Sequence, residues 1–403
     1  MSARVAPDRI LTPSFAALWI AALLFFTAGG TLLPVAGPFA TGPLHADPAG
    51  VGIAIGIYAI AALVLRPVVG RASDRYGRRP LLLIGGVITL TALALHLAVS
   101  TLPLFIVARA LLGIGEAFFF IAALAAITDL APEDRQGEAI NIGSLSVYLG
   151  LAIGPLLGEA VLGAGGFTGV WLAAAGLTAI ALAASWLVPE SAPVALAQEA
   201  GEPRPAYGRL FHPAAIFPGI LILAGGWGMA GFLAFLPLLV RDLDLGGSSV
   251  AFAIYALVVI GLRIAFVKLP DQVGATRLSL FSLVAASVGL AIIGLIPTQL
   301  ALYVGTAVFA SGIAFLFPGL VAVAVARADE TERGSVVGTA SLFLDLSFGL
   351  APAVLGVMAG VTGYGGTFVV SAVVAAAGAV LLVTRREALE RPVGRAPADT
   401  LAA

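Results

Sequence analysis

Apolar residues in this chain come in blocks of roughly twenty, the length needed to cross a hydrocarbon core of about 30 Å. Short polar breaks separate the blocks. Taken run by run, the pattern predicts twelve helices, at 13–37, 50–70, 79–100, 103–129, 137–163, 168–188, 213–240, 247–268, 275–297, 299–327, 333–361 and 364–384. In lipid every backbone polar group must be paired internally, so apolar runs of this length mean helices. Ten-residue segments of alternating polarity, the mark of a membrane β-barrel, do not occur. The stretch 189–212 has Pro, Glu, Ala, Gly and Arg without apolar periodicity and is expected to be a linker. The expected organisation is a six-helix bundle over 1–188, a cytoplasmic linker over 189–212 and a second six-helix bundle over 213–403.

Composition agrees with an all-α polytopic membrane protein. The 403 residues are 60% hydrophobic and 11% charged, against about 25% charged in a soluble domain. Of the 21 lysines and arginines, seventeen fall at the termini and in alternate loops. Only Arg241 falls in a loop on the other side, and Arg66, Arg109 and Arg263 lie inside spans. The positive-inside rule then puts both termini in the cytoplasm. The first run is too long for the core of a cleaved signal peptide and is expected to be the first span. A net charge of −1 gives no field for nucleic acid. Cysteine is absent and only three histidines occur, so no disulfide, thiolate metal site or metal cluster is expected.

The chain also repeats itself. At an offset of 197 residues, Tyr58 matches Tyr255, Arg66 matches Arg263, Asp74 matches Asp271 and Gly77 matches Gly274. Gly115, Phe118, Gly137 and Pro155 match Gly312, Phe315, Gly334 and Pro352 in the same register. Glycine and phenylalanine matches are cheap in so apolar a chain, but the charged ones are not. Two parallel six-helix halves are the expected result.

Charged and small residues mark candidate sites. Between the second and third spans, Gly70–Leu81 holds Arg71, Asp74, Arg75, Arg78 and Arg79 together with Gly77. Gly70 is expected to end the second span and to allow close helix approach. Arg78 is expected to reach Asp129 at the end of the fourth span, and Arg135 is the candidate partner of Asp74. The copy at 267–278 has Ala275 and Thr276 where Arg78 and Arg79 stand, so its contacts are expected to be weaker.

Inside the spans, Arg109, Glu116, Glu159, Arg263 and Asp345 are costly to bury and are functional candidates for that reason. Arg109 and Glu116 are seven residues apart, on one helix face and about 10 Å apart along it. Glu159 lies at a depth similar to Arg109, and the two are expected to pair directly or through a bridging water. A low-dielectric site disfavours an ionised carboxylate, which suits it to loading and releasing a proton near neutral pH. Glu116 and Asp345 are the candidates for that task. Gly150, Gly154 and Gly158 recur every four residues around Pro155 and form a smooth packing face with a kink.

The loop Gly70–Leu81 resembles the signature between helices 2 and 3 of the major facilitator superfamily. Arg109-Ala110-Leu111-Leu112-Gly113-Ile114-Gly115-Glu116 is similar to that family's fourth-helix pattern, with Leu112 for the usual Gln and Glu116 for a small residue. Gly150 to Glu159 resembles the fifth-helix element of its proton-coupled exporters, with Glu159 for the last Gly. The resemblance spans about residues 13–385. It implies a cytoplasmic latch built on Asp74, Arg75, Arg78 and Arg79 that holds the halves together, with Asp74 facing the start of helix 11. The fifth-helix element would lie at the interface of the halves. Phe25, Phe118, Trp227, Phe235 and Phe315 fall on the helices that line the family's central cavity, where aromatic side chains suit a lipophilic substrate.

The function these observations imply is proton-coupled, alternating-access efflux of a small lipophilic molecule, resembling the drug:proton antiporter group. The expected partners are that substrate, protons and the lipid bilayer of the plasma membrane, with no cofactor and a monomeric assembly. A metabolite uptake permease or facilitator on the same fold is the alternative reading, and a non-transporting receptor a further one. An enzyme would need a nucleophile–base pair or metal cluster, and a nucleotide-driven pump a phosphate-binding loop; neither pattern occurs.

Overall fold

The computed structural model describes residues 9–132, 135–190, 212–245, 247–266, 273–327 and 333–386, and within them every regular element is helical. In chain order these are α1 (Pro13–Thr31), α2 (Leu33–Thr41), α3 (Pro48–Tyr76), α4 (Arg78–Leu97), α5 (Leu102–Asp129) and α6 (Gln136–Trp186). They continue as α7 (Pro213–Asp242), α8 (Ser249–Ala265), α9 (Ala275–Leu295), α10 (Gln299–Val325) and α11 (Arg333–Thr384). Most of the 189–212 linker lies outside the described residues, as do Lys268, Asp271 and the side chain of Asp74.

Local chemistry sets the helix starts. Thr12 accepts a hydrogen bond from the Phe15 N–H at 3.2 Å with Pro13 at the first helical position. Asp47 accepts from the Gly50 N–H at 2.8 Å with Pro48 in the same place. Thr298 caps α10 through the Ala301 N–H at 3.3 Å. Each side chain satisfies a backbone donor that the first turn leaves open.

Glycines at positive φ set the boundaries, and they carry the 197-residue repeat into the backbone. Gly77 (φ 96°) separates α3 from α4, and Gly274 (φ 84°) precedes α9. Gly166 (φ 61°) and Gly363 (φ 72°) interrupt α6 and α11, which are otherwise continuous for 51 and 52 residues. Each interruption is a single residue, which is why pairs of predicted spans join into one long helix. With α1 and α2 counted as one, nine of the described helices are long and apolar enough to cross a membrane, with Ser249–Ala265 a shorter apolar helix. Divided at these breaks, they give twelve helical segments in the order that the hydropathy pattern predicts.

The second span does not end where expected. Gly70 lies within α3, which runs on to Tyr76, and a Cβ at Gly70 would meet nothing within 4 Å. The backbone bond from Gly77 N–H to the Ser73 carbonyl shows the helix continuing through the basic residues. Polarity alone does not stop a helix; the left-handed conformation of Gly77 does.

Two compact units arise from the packing. One takes in Met1–Arg204, Leu233–Ala253 and Pro352–Val361; the other Pro205–Phe232, Ile254–Ala351 and Thr362–Ala403. They do not follow the two sequence repeats, because contact rather than ancestry defines them. In the first, α1 packs along α6, and α5 packs against α3 and α4. Phe15, Leu18, Phe25, Leu81, Leu82 and Phe119 form much of its core. In the second, α9 packs on α10. Phe315 sits in a cluster there with Val259, Leu278, Ala310 and Ala314.

Lipid offers no hydrophobic drive between helices, so small residues that let backbones touch supply much of the packing. A Cβ on Gly115 would stand 2.9 Å from the Gly85 carbonyl of α4. Its repeat counterpart, Gly312, would meet the carbonyl of Ser282, the counterpart of Gly85.

Candidate proton-coupling and gating sites

The first site lies inside the spans. Gly113 of α5 rests on the Tyr58 carbonyl of α3, with no room for a side chain between them. That approach brings Arg109, one turn earlier on α5, to Ala54, one turn earlier on α3. Arg109 Nε donates to the Ala54 carbonyl at 3.2 Å, and its guanidinium lies 5.2 Å from the Tyr58 ring centroid. Glu116, two turns further along the same face of α5, is 9% exposed. Arg66 sits 5.5 Å from the Phe120 ring centroid. Arg109 and Tyr58 thus meet at one α3–α5 seam, with Arg66 and Glu116 two turns further along α3 and α5. The second half has the same frame but keeps only one of the charges: Arg263, the counterpart of Arg66, donates to the Ala314 carbonyl at 3.0 Å. Tyr255, Thr306 and Ile313 stand at the counterparts of Tyr58, Arg109 and Glu116. Tyr255 packs against Phe232 and Phe309 instead.

Arg109 and Glu159 do not pair. Glu159 accepts from the backbone N–H of Ser248 at 2.6 Å and of Ser249 at 2.7 Å, and from the Ser248 hydroxyl. Those donors are the open groups at the start of α8, a stronger demand on a carboxylate than a guanidinium already held by a carbonyl and a ring. The Gly-Gly-Ser-Ser run at 246–249, a turn followed by a capping serine, was the sequence signal for this contact.

The second site closes the Gly77 end. Arg78 Nε donates to Asp129 at 3.0 Å, and Arg78 Nη1 donates to Ser73 Oγ at 3.1 Å. The Arg78 backbone N–H donates to Glu190 at 2.9 Å. A side chain at Gly77 would run into the Glu190 carboxylate. Sequence reasoning left Glu190 in the linker; its position directly after the sixth span was the only hint. Arg79 stacks over Trp186 at 4.5 Å, and Arg75 over Tyr76 at 5.3 Å. The Arg135 guanidinium donates twice to Glu138, three residues further along the chain, at 2.8 and 2.9 Å, while the side chain of its expected partner, Asp74, lies outside the described residues.

The fifth-span glycines face α1. A Cβ on Gly150 would stand 2.8 Å from the Thr27 nitrogen, and one on Gly154 2.5 Å from Gly30 Cα; Gly158 abuts the Thr31 carbonyl. The glycine face is thus spent on packing within the first half, beside Pro155. The aromatic candidates are mostly covered. Phe25 stacks on Phe119 at 3.9 Å, and Phe235 and Phe315 are buried. Phe118 packs half-buried on the first core. The buried Nε1 of Trp227 has no hydrogen-bond partner among the described residues. Asp345 is half-buried on α11. No metal-binding group of His, Asp or Glu occurs among the described residues.

The sequence profile described as Major Facilitator Superfamily matches residues 18–310 and 262–401. The chain belongs to the major facilitator superfamily. Its fold is therefore the twelve-helix membrane fold of those transporters, and the protein is a membrane transporter. It is 29% identical over 348 residues to an uncharacterised MFS-type transporter of Salmonella typhimurium, covering 84% of this chain and 88% of the relative. It is equally similar, at 29% over 341 residues, to an MFS-type transporter of Burkholderia pseudomallei, covering 82% and 81%. Among solved structures, a bacterial homologue of the human lysosomal transporter Spinster aligns over 97% of this chain and 100% of its own, with TM-score 0.79 and 16% identity. The nucleoside transporter NupG aligns over 93% and 99%, with TM-score 0.75 and 17% identity. These two share the fold of this MFS transporter.

Proposed function

We propose that this MFS transporter exports a small lipophilic molecule from the cytoplasm in exchange for inward-moving protons, by alternating access. The buried Glu116 carboxylate, on the α5 face that holds Arg109 against Tyr58, carries the reading. Glu116 takes a proton from the outer side, becomes neutral, and gives it up to the cytoplasm after the molecule has switched. Arg109 is the fixed positive charge that sets when the carboxylate ionises. The second half has Thr306 and Ile313 where Arg109 and Glu116 stand, so the Arg109–Glu116 pair of charges is peculiar to the first half. Asp345 is the second candidate carrier. The Arg78–Asp129 contact, with both termini cytoplasmic, serves as the latch of the cytoplasmic side, and the glycine face of α6 keeps α1 and the fifth span moving as one body.

The test is transport in everted membrane vesicles with a panel of lipophilic aromatic dyes, ethidium and Hoechst 33342 among them. An acid-inside gradient is expected to drive dye into vesicles that contain the protein. Uptake of a polar metabolite down its own gradient, with no response to pH, would instead favour a facilitator.

A further inference from the structure

We propose that Glu159 is a releasable latch at the end of the molecule opposite the Arg78–Asp129 pair. Three observations carry it. First, segments 233–253 and 352–361 of the second repeat join the compact unit of the first half. Second, the carboxylate of Glu159, from the first repeat, takes both free backbone N–H groups of Ser248 and Ser249 at the start of α8. Gly247 leaves room for it, since a Cβ there would stand 2.6 Å from Glu159 Oε2. Third, the repeat places a mirror contact on the other side. Gly356, the counterpart of Glu159, packs on the Pro48 carbonyl and stands where a Cβ would be 2.9 Å from Gly52 Cα. Gly52 is in turn the counterpart of Ser249.

One frame therefore carries two different closures. The Gly356–Gly52 contact is backbone against backbone and loses only dispersion when it parts. The Glu159 cap joins a carboxylate to a helix start, and opening must re-solvate both. The asymmetry makes Glu159 the stronger closure. Its consequence for transport rests on the alternating-access reading above; the contact itself does not.

The absence of native cysteine makes single-cysteine labelling clean. Leu238, 3% exposed, packs on Gly37 at the same closed end, 3.1 Å from where its Cβ would be. Leu290, 0% exposed and packed on Gly228, reports general loosening. In purified protein in detergent, a water-soluble maleimide is expected to label Leu238→Cys about tenfold faster when Glu159→Gly or Glu159→Gln is added. Leu290→Cys should stay unlabelled. Ser248→Ala, which leaves both backbone donors, should change the rate by less than about twofold. Unchanged labelling of Leu238→Cys in both Glu159 variants would overturn the proposal. So would equal acceleration at Leu290→Cys, which would make Glu159 a general stabiliser. The assay uses neither proton gradient nor substrate, so its failure is separate from failure of proton-coupled export.

Discussion

Arg78 Nε lies 3.0 Å from Asp129 Oδ2, with the arginine side chain 9% exposed and the aspartate 30%. The same residue is also held by Ser73 and Glu190, so one side chain and its N–H tie α3, α4, α5 and the segment after α6 together. Arg78→Ala should destabilise the protein by about 1–3 kcal/mol, less than a fully buried pair because Asp129 is partly solvated. Arg79→Ala removes only the stacking on Trp186 and should cost about 0.5–1 kcal/mol. Thermal unfolding of the two variants in detergent compares them directly.

Gly166 and Gly363 provide a cleaner backbone test. Both sit at positive φ with extended ψ, −165° and 175°, and a Cβ at either would meet nothing within 4 Å. Any cost of alanine there is conformational and should be about 1–3 kcal/mol at each site. The two substitutions should lower the melting temperature by similar amounts. A change at one position only would break the backbone equivalence of the two repeats.

Packing on α1 gives the opposite kind of glycine effect. Gly154→Ala pushes a methyl group against Gly30 and should cost about 1–3 kcal/mol. Gly176→Ala, later in the same α6 helix, meets nothing within 4 Å. It should be neutral or stabilising by up to about 1 kcal/mol. Expression level and melting temperature distinguish the two.

Much of the fold was legible because lipid leaves so few choices. Blocks of twenty apolar residues can only be helices, and the 197-residue offset paired Gly77 with Gly274, both of which have positive φ; Gly166 and Gly363 fall in the gaps between predicted spans, but their pairing emerges only from the backbone angles. The Arg78–Asp129 contact was also legible, since a loop arginine has few acidic groups at its own depth. The partner of Glu159 was not. Depth in the membrane pairs it with Arg109, but depth says nothing about azimuth, and backbone donors at a helix start do not show as charges. Gly70 misled for a related reason: a glycine ends a helix by its φ angle, and only Gly77 adopts the required one.

Arg109 holds the Ala54 carbonyl and the Tyr58 ring at once, a geometry that a planar guanidinium can satisfy and an ammonium cannot. Arg109→Lys should keep the charge but lower gradient-driven export on the order of tenfold, and Arg109→Ala should abolish it. Dye flux in everted vesicles, normalised to protein content, gives both values.

The proton-coupling assignment is most directly tested by Glu116→Gln in proteoliposomes, using a dye that the parent protein exports and an internal pH indicator. The variant is expected to lose export driven by a pH gradient while still exchanging dye for dye across the membrane, because only the proton step has been removed. Undiminished gradient-driven export by Glu116→Gln, with Asp345→Asn equally active, would contradict the assignment of the coupling proton to a buried carboxylate.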